Sequence, residues 1–102
     1  MRYQLVIQFA ADTIPDYDAL IAMEHQLIET LGDGFVDGHD MGCGEANIFI
    51  LTSDPRDTFR QLAPMLVRSG RMPAVTAAYR STDEDKYHVL WPEDSSRQFR
   101  VA

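Results

Sequence analysis

Polar and apolar residues alternate from Arg2 to Phe9, with Tyr3, Leu5, Ile7 and Phe9 on one side of an extended chain and Gln4, Val6 and Gln8 on the other. That period of two predicts a half-buried strand. After "AADTIP" the spacing lengthens to three, four and seven: Tyr17, Leu20, Ile21, Leu27, Ile28 and Leu31 form one stripe, with Asp16 as helix cap and "GDG" as the stop. Phe35 to Asp40 and Ala46 to Thr52 read as two strands. The turn between them, Met41 to Glu45, carries glycines at 42 and 44 that can take the positive φ a tight turn demands. "SDPRDTF" announces a second helix, with Ser53 or Asp54 as cap, Pro55 at its first position and Phe59, Leu62, Ala63 and Leu66 as its stripe. Pro64 falls inside that stripe and predicts a kink or a division near Gln61. Ala74 to Arg80 and Lys86 to Trp91 read as two further strands around "STDED", the last ended by Pro92.

The order strand, helix, strand, strand, helix, strand, strand predicts an α+β fold. With crossovers that place both helices on one side, it becomes a ferredoxin-like βαββαβ sandwich with an extra C-terminal edge strand, in the order 5-4-1-3-2. Residues 1–92 make one such domain, and 93–102, "EDSSRQFRVA", a polar tail that is loose unless a partner orders it. The helix-facing side of the sheet is expected to carry Tyr3, Leu5, Ile7, Phe9, Val75, Ala77 and Tyr79. Strand three is apolar on both sides, Ile48 and Ile50 on one and Phe49 and Leu51 on the other. The open face therefore needs a cover, which the tail, a ligand or a second copy could supply; a homodimer is the most economical.

Composition narrows the partners. Over 102 residues, nine Lys and Arg stand against 16 Asp and Glu, a formal charge of −7, and no basic patch is visible along the chain. Such a charge opposes nucleic acid and anionic lipid and favours a protein partner with a basic surface. Cys43 is the single cysteine, so no intrachain disulfide can form. With no leader pattern and no apolar run of spanning length, the expectation is a cytoplasmic protein.

Glu24 is the most informative residue, because on a helical wheel it points in the direction of the first helix's apolar stripe. A carboxylate there must be hydrogen-bonded, ion-paired, protonated or led out to water, as a structural brace or as a functional acid. Asp37 and His39, two apart on one strand, are expected on the same face, with Asp40 and Glu45 flanking the turn. Glu24, Asp37, His39 and Glu45 form the candidate polar site, of an acid-base pair or a divalent metal. Against a metal, no second histidine or cysteine stands at ligand spacing unless the fold brings in His25 or His88. The bland alternative is a turn whose polar residues satisfy local backbone groups. Cys43 has only His39 near in sequence to activate it, and reads as a small turn residue. "GHDMGCG" lacks the Lys and Ser or Thr of a phosphate loop and leads into a strand, so no cofactor is expected. Tyr87, Val89 and Trp91 alternate and could line a groove, although Trp91 more simply closes the core edge.

Taken together, "LIAMEHQLIETLG", "VDGHDMGCGEANIFILT", "AAYR" and "VLWP" resemble a set of small uncharacterised bacterial proteins of ferredoxin-like α/β-plait type, over nearly the whole chain. The resemblance implies no activity and no catalytic residues. In architecture the chain is also similar to ligand-sensing and immunity-type plaits, an analogy of fold alone. The expectation is a small acidic binding module that dimerises or docks a partner through its open sheet face, immunity-like or ligand-sensing. The alternative is a small enzyme or metal-dependent protein using Glu24, Asp37, His39 and Glu45.

Overall fold

A computed structural model describes residues 2–10, 16–32, 35–42, 44–92, 99 and 101. The alternating first segment forms β1 (Tyr3–Ala10), hydrogen-bonded antiparallel on one edge to β3 (Glu45–Thr52) and on the other to β4 (Val75–Ser81). Strand β2 (Val36–Gly42) continues the sheet beyond β3, and β5 (His88–Trp91) continues it beyond β4, giving the order β2-β3-β1-β4-β5. The fold is α+β: one five-stranded antiparallel sheet and two helices, α1 (Tyr17–Leu31) and α2 (Pro55–Arg68). A short 3-10 turn, Met72–Ala74, leads into β4.

Both helices start where their caps predict. Asp16 accepts a hydrogen bond from the Ala19 N–H at 2.8 Å, and Asp54 accepts one from the Asp57 N–H at 3.1 Å. Gly32 ends α1 at φ 91°, in the left-handed region that favours glycine, with its N–H on the Ile28 carbonyl. Leu20, Met23 and Leu27 of α1 and Leu62, Met65 and Leu66 of α2 pack with Leu5, Ile7, Phe9, Ile48, Ile50 and Ala77 in one core, so both helices cover the same sheet face. The expected stripe on α1 is rotated in the structure: Met23 belongs to its centre, Ile21 and Ile28 are only half-buried, and Tyr17 is exposed.

Pro64 does not divide α2, which runs unbroken from Pro55 to Arg68. The proline sits on the exposed side, and buried Leu62, Met65 and Leu66 hold the turns on either side of it. Asp57 adds bonds to Arg60 and Gln61 in the preceding turn, at 3.0 and 2.9 Å. The cost is confined to the Arg60 carbonyl, which has no N–H to accept from at position 64.

Two edge irregularities redirect side chains. Between β2 and β3 the register moves from Val36 opposite Ile50 to Gly38 opposite Phe49, which leaves Asp37 as an extra residue. Between β4 and β5 it moves from Ala77 opposite Trp91 to Ala78 opposite Val89, and Leu90 is the extra one. An inserted residue inverts the alternation beyond it. Trp91 therefore joins the helix-side core while Tyr87 and Val89 lie on the other face, so the three do not line a common groove.

On the face away from the helices, Val6 and Ala78 are buried beneath Phe99, with Phe49, Tyr87, Val89 and Val101 partly buried around them. The cover described there is thus Phe99 with Val101, two residues of the C-terminal tail, one of the three covers expected. Among the described residues, no helix is long and apolar enough to cross a membrane.

Replacing Pro64 with alanine returns a donor to the Arg60 carbonyl without touching the core. Urea unfolding should show stability raised by about 1–2 kcal/mol at unchanged m. A loss of stability would show instead that the ring contributes packing.

Candidate functional site

Tyr17 and Glu24 are seven residues apart on α1, about two turns less 20°, and so stand one above the other along the helix. Since Leu20, Met23 and Leu27 point into the core, this line falls on the flank of the buried stripe and not at its middle. His39 approaches from β2. It lies opposite Ile48, whose side chain is in the helix-side core, and cross-strand partners share a face, so the imidazole is directed toward α1.

The three side chains form a chain of hydrogen bonds. His39 Nδ1 is 2.8 Å from Glu24 Oε2, and the Tyr17 hydroxyl is 2.9 Å from His39 Nε2. The Tyr17 and His39 rings meet edge to face, with centroids 5.4 Å apart. An ionised carboxylate only accepts, so Nδ1 carries a hydrogen and donates it to Glu24; in the neutral imidazole, Nε2 is then the acceptor for the Tyr17 O–H. The Glu24 and His39 side chains are 14% and 22% exposed, whereas Tyr17 is 56% exposed. Burial therefore increases from the phenol to the carboxylate, and the phenol end is the most open to solvent. No buried side-chain nitrogen or oxygen among the described residues lacks a hydrogen-bond partner. The burial of Glu24 is thus compensated, as burial of a carboxylate requires.

The other candidates lie elsewhere. Asp37 is the extra residue of the bulge and is exposed, so Val36 and Met41, not Asp37, point with His39 toward the core. Asp40 pairs with Asn47 on the opposite face and is exposed. Glu45 stands three residues from Ile48 along β3, hence on the face away from Glu24, and lines a cleft with Gln8, Ala10, Thr76 and Pro92. The structure brings Glu24 and His39 together and leaves Asp37 and Glu45 outside. His25 and His88 are both exposed, and His88 stacks on Tyr79 with centroids 5.2 Å apart. Cys43, expected as a small turn residue, lies outside the described residues. No group of three or more His, Cys, Asp or Glu among the described residues is placed to hold a metal ion.

Sequence reasoning missed Tyr17 as a partner, having counted it in the apolar stripe. The signal was available: Tyr17 is seven residues before the anomalous Glu24 and at the first position of the helix, where a side chain reaches past the core.

A second polar arrangement borders the tail-covered face. Arg80 Nε and the Tyr87 hydroxyl both donate to Gln4 Oε1, at 3.0 and 3.3 Å, while Gln8 Nε2 donates to Asn47 Oδ1 at 3.0 Å. Val6, Ala78 and Phe99 form the apolar centre between these two polar ends. Compared with family models, curated proteins and solved structures, the chain matches none.

The Glu24–His39 contact should appear as a coupling energy. A double-mutant cycle of Glu24→Gln and His39→Ala, measured by urea unfolding, is expected to give about 1–2 kcal/mol. A value within about 0.3 kcal/mol of zero would mean that the contact adds nothing to stability.

Proposed function

We propose that this chain is a ferredoxin-like plait, kin to the small bacterial proteins it resembles, that works as a cytoplasmic interaction module. Its docking surface is the sheet face away from the helices, and its first partner is a second copy of itself. One observation carries the reading. The centre of that face is apolar, and Phe99, from a ten-residue C-terminal segment rich in polar residues, fills it as a single aromatic anchor. Phe99 is 8% exposed and its ring lies 5.0 Å from that of Tyr87, centroid to centroid.

An anchor delivered by a terminal segment can be delivered to a neighbour as well as to its own sheet. Exchange of the two tails would bury the same residues in both copies, which makes it a low-cost route to a symmetric pair. The charge of −7 sets the character of any further partner: a basic protein surface, as an immunity-like role requires, and not an anionic ligand. An enzymatic or metal-dependent reading built on Glu24, Asp37, His39 and Glu45 acting together has less support, because Asp37 and Glu45 lie apart from the other two.

Light scattering separates the outcomes. The full chain should run as a dimer, and Phe99→Ala should weaken the dimer at least tenfold while lowering stability by roughly 3 kcal/mol. A full chain that remains monomeric at its highest soluble concentration overturns the self-association reading.

A further inference from the structure

We infer that Tyr17 is a nucleophilic tyrosine, with His39 as its general base and Glu24 as the residue that positions that base, and that it accepts acyl groups from neutral, activated donors. The inference is independent of the docking surface, which occupies the opposite face of the sheet. It rests on the hydrogen-bonded order of the three groups: carboxylate to Nδ1 at 2.8 Å, then Nε2 to phenol at 2.9 Å.

A hydroxyl is a weak nucleophile until a base takes its proton as it attacks, and the base must be within hydrogen-bond reach and held in the correct tautomer. Both conditions are met. Glu24, accepting from Nδ1–H, leaves the Nε2 lone pair directed at the Tyr17 oxygen and stabilises the imidazolium that forms when the proton arrives. The gradient of exposure suits the chemistry, because the base and its carboxylate are largely shielded while the reacting oxygen belongs to a residue open to an incoming donor.

The charges on these elements select the donor. The cap and helix contribute Asp16, Asp18, Glu24 and Glu29, β2 contributes Asp37 and Asp40, and neither α1 nor β2 holds a lysine or arginine. Phosphoryl and nucleotidyl donors carry negative charge that this neighbourhood repels, and they need cationic partners that it does not offer. Neutral esters and thioesters meet no such barrier. Tyr17 is 56% exposed, so the donor reaches its oxygen from solvent.

The step balances without any further reactant. The Tyr17 oxygen attacks the carbonyl carbon of an ester as its proton passes to His39 Nε2. The tetrahedral adduct then collapses, the bond to the leaving oxygen breaks, and the leaving group departs with the electron pair. Tyr17 is left as an acyl ester, and His39 as an imidazolium beside Glu24 that returns its proton to the leaving group or to water.

p-Nitrophenyl acetate is the probe, with peptide mapping to separate acetyl-Tyr17 from products at Tyr3, Tyr79, Tyr87, Lys86 and Cys43. Tyr17 in the folded protein should be acetylated at least about tenfold faster than N-acetyltyrosinamide, a rate that exposure alone does not reach. His39→Asn keeps a donor for Glu24 but removes the base, and should return Tyr17 to the rate of the model compound. Glu24→Gln, which still accepts from Nδ1–H without the charge, should fall between the two, and Tyr17→Phe should remove the product altogether. If His39→Asn does not fold, the wild-type rate relative to the model compound and the drop in Glu24→Gln decide the matter. Acetylation of Tyr17 no faster than the model compound, or unchanged in His39→Asn, overturns the inference and leaves the three residues as a strut between α1 and β2.

Discussion

Strand β1 has no free side. Its backbone is bonded to β3 along one edge and to β4 along the other, and Leu5, Val6 and Ile7, three successive residues that point to alternate faces, are all fully buried. A strand in that position requires two covers. The helices provide one, over Leu5, Ile7 and Phe9. The second must come from somewhere, since leaving a valine-sized side chain in water costs about 1.5–3 kcal/mol relative to burial. Phe99 supplies it over Val6 and Ala78, and the polar residues on the same face are paired among themselves, Gln8 with Asn47 and Gln4 with Arg80 and Tyr87. Phe99 is therefore part of the fold's energetics, far as it lies in sequence from the strand it covers.

The edges of the sheet are irregular where its centre is regular. Pairing of β1 with β3 and β4 proceeds residue by residue without a shift, while both outer pairs contain one extra residue, at Asp37 and at Leu90. Each bulge changes which residues face the core. In β5 it turns Trp91 inward against the helix-side cluster. In β2 it brings Val36 to the helix side and leaves Asp37 out in solvent, while His39, paired with Ile48 in the regular part of the hairpin, faces α1 regardless; the break in alternation separates Asp37 from the site.

That is also where the sequence stops being informative. The central strand, both helix caps and the succession of strands and helices in an α+β chain follow from periodicity and end signals, which are local properties. Bulges are not local: whether Asp37 or a neighbour is the extra residue depends on how β2 settles against β3 while its side chains seek the core. The simple rule that residues two apart share a face made Asp37 the companion of His39, and one inserted position undoes it. Phe99 was hidden for a related reason. A lone aromatic among "EDSSRQFRVA" has no period to read, and its burial depends on a vacancy created by strands far away in sequence.

Glu24 shows what a local contradiction is worth. A carboxylate at the border of a helix's apolar stripe conflicts with the pattern beside it, and conflicts of that kind mark places where a partner from another element must exist. The partner turned out to be a histidine, and the histidine has a second nitrogen. A lysine or arginine in that place would have closed the pair as a terminus, whereas an imidazole passes the interaction on, so the buried charge of Glu24 reaches the surface through His39 to the Tyr17 hydroxyl. A structural brace needs only the first of these two bonds. The second holds the exposed phenol of Tyr17 against the Nε2 of His39, at the end of the chain of groups that is most open to solvent.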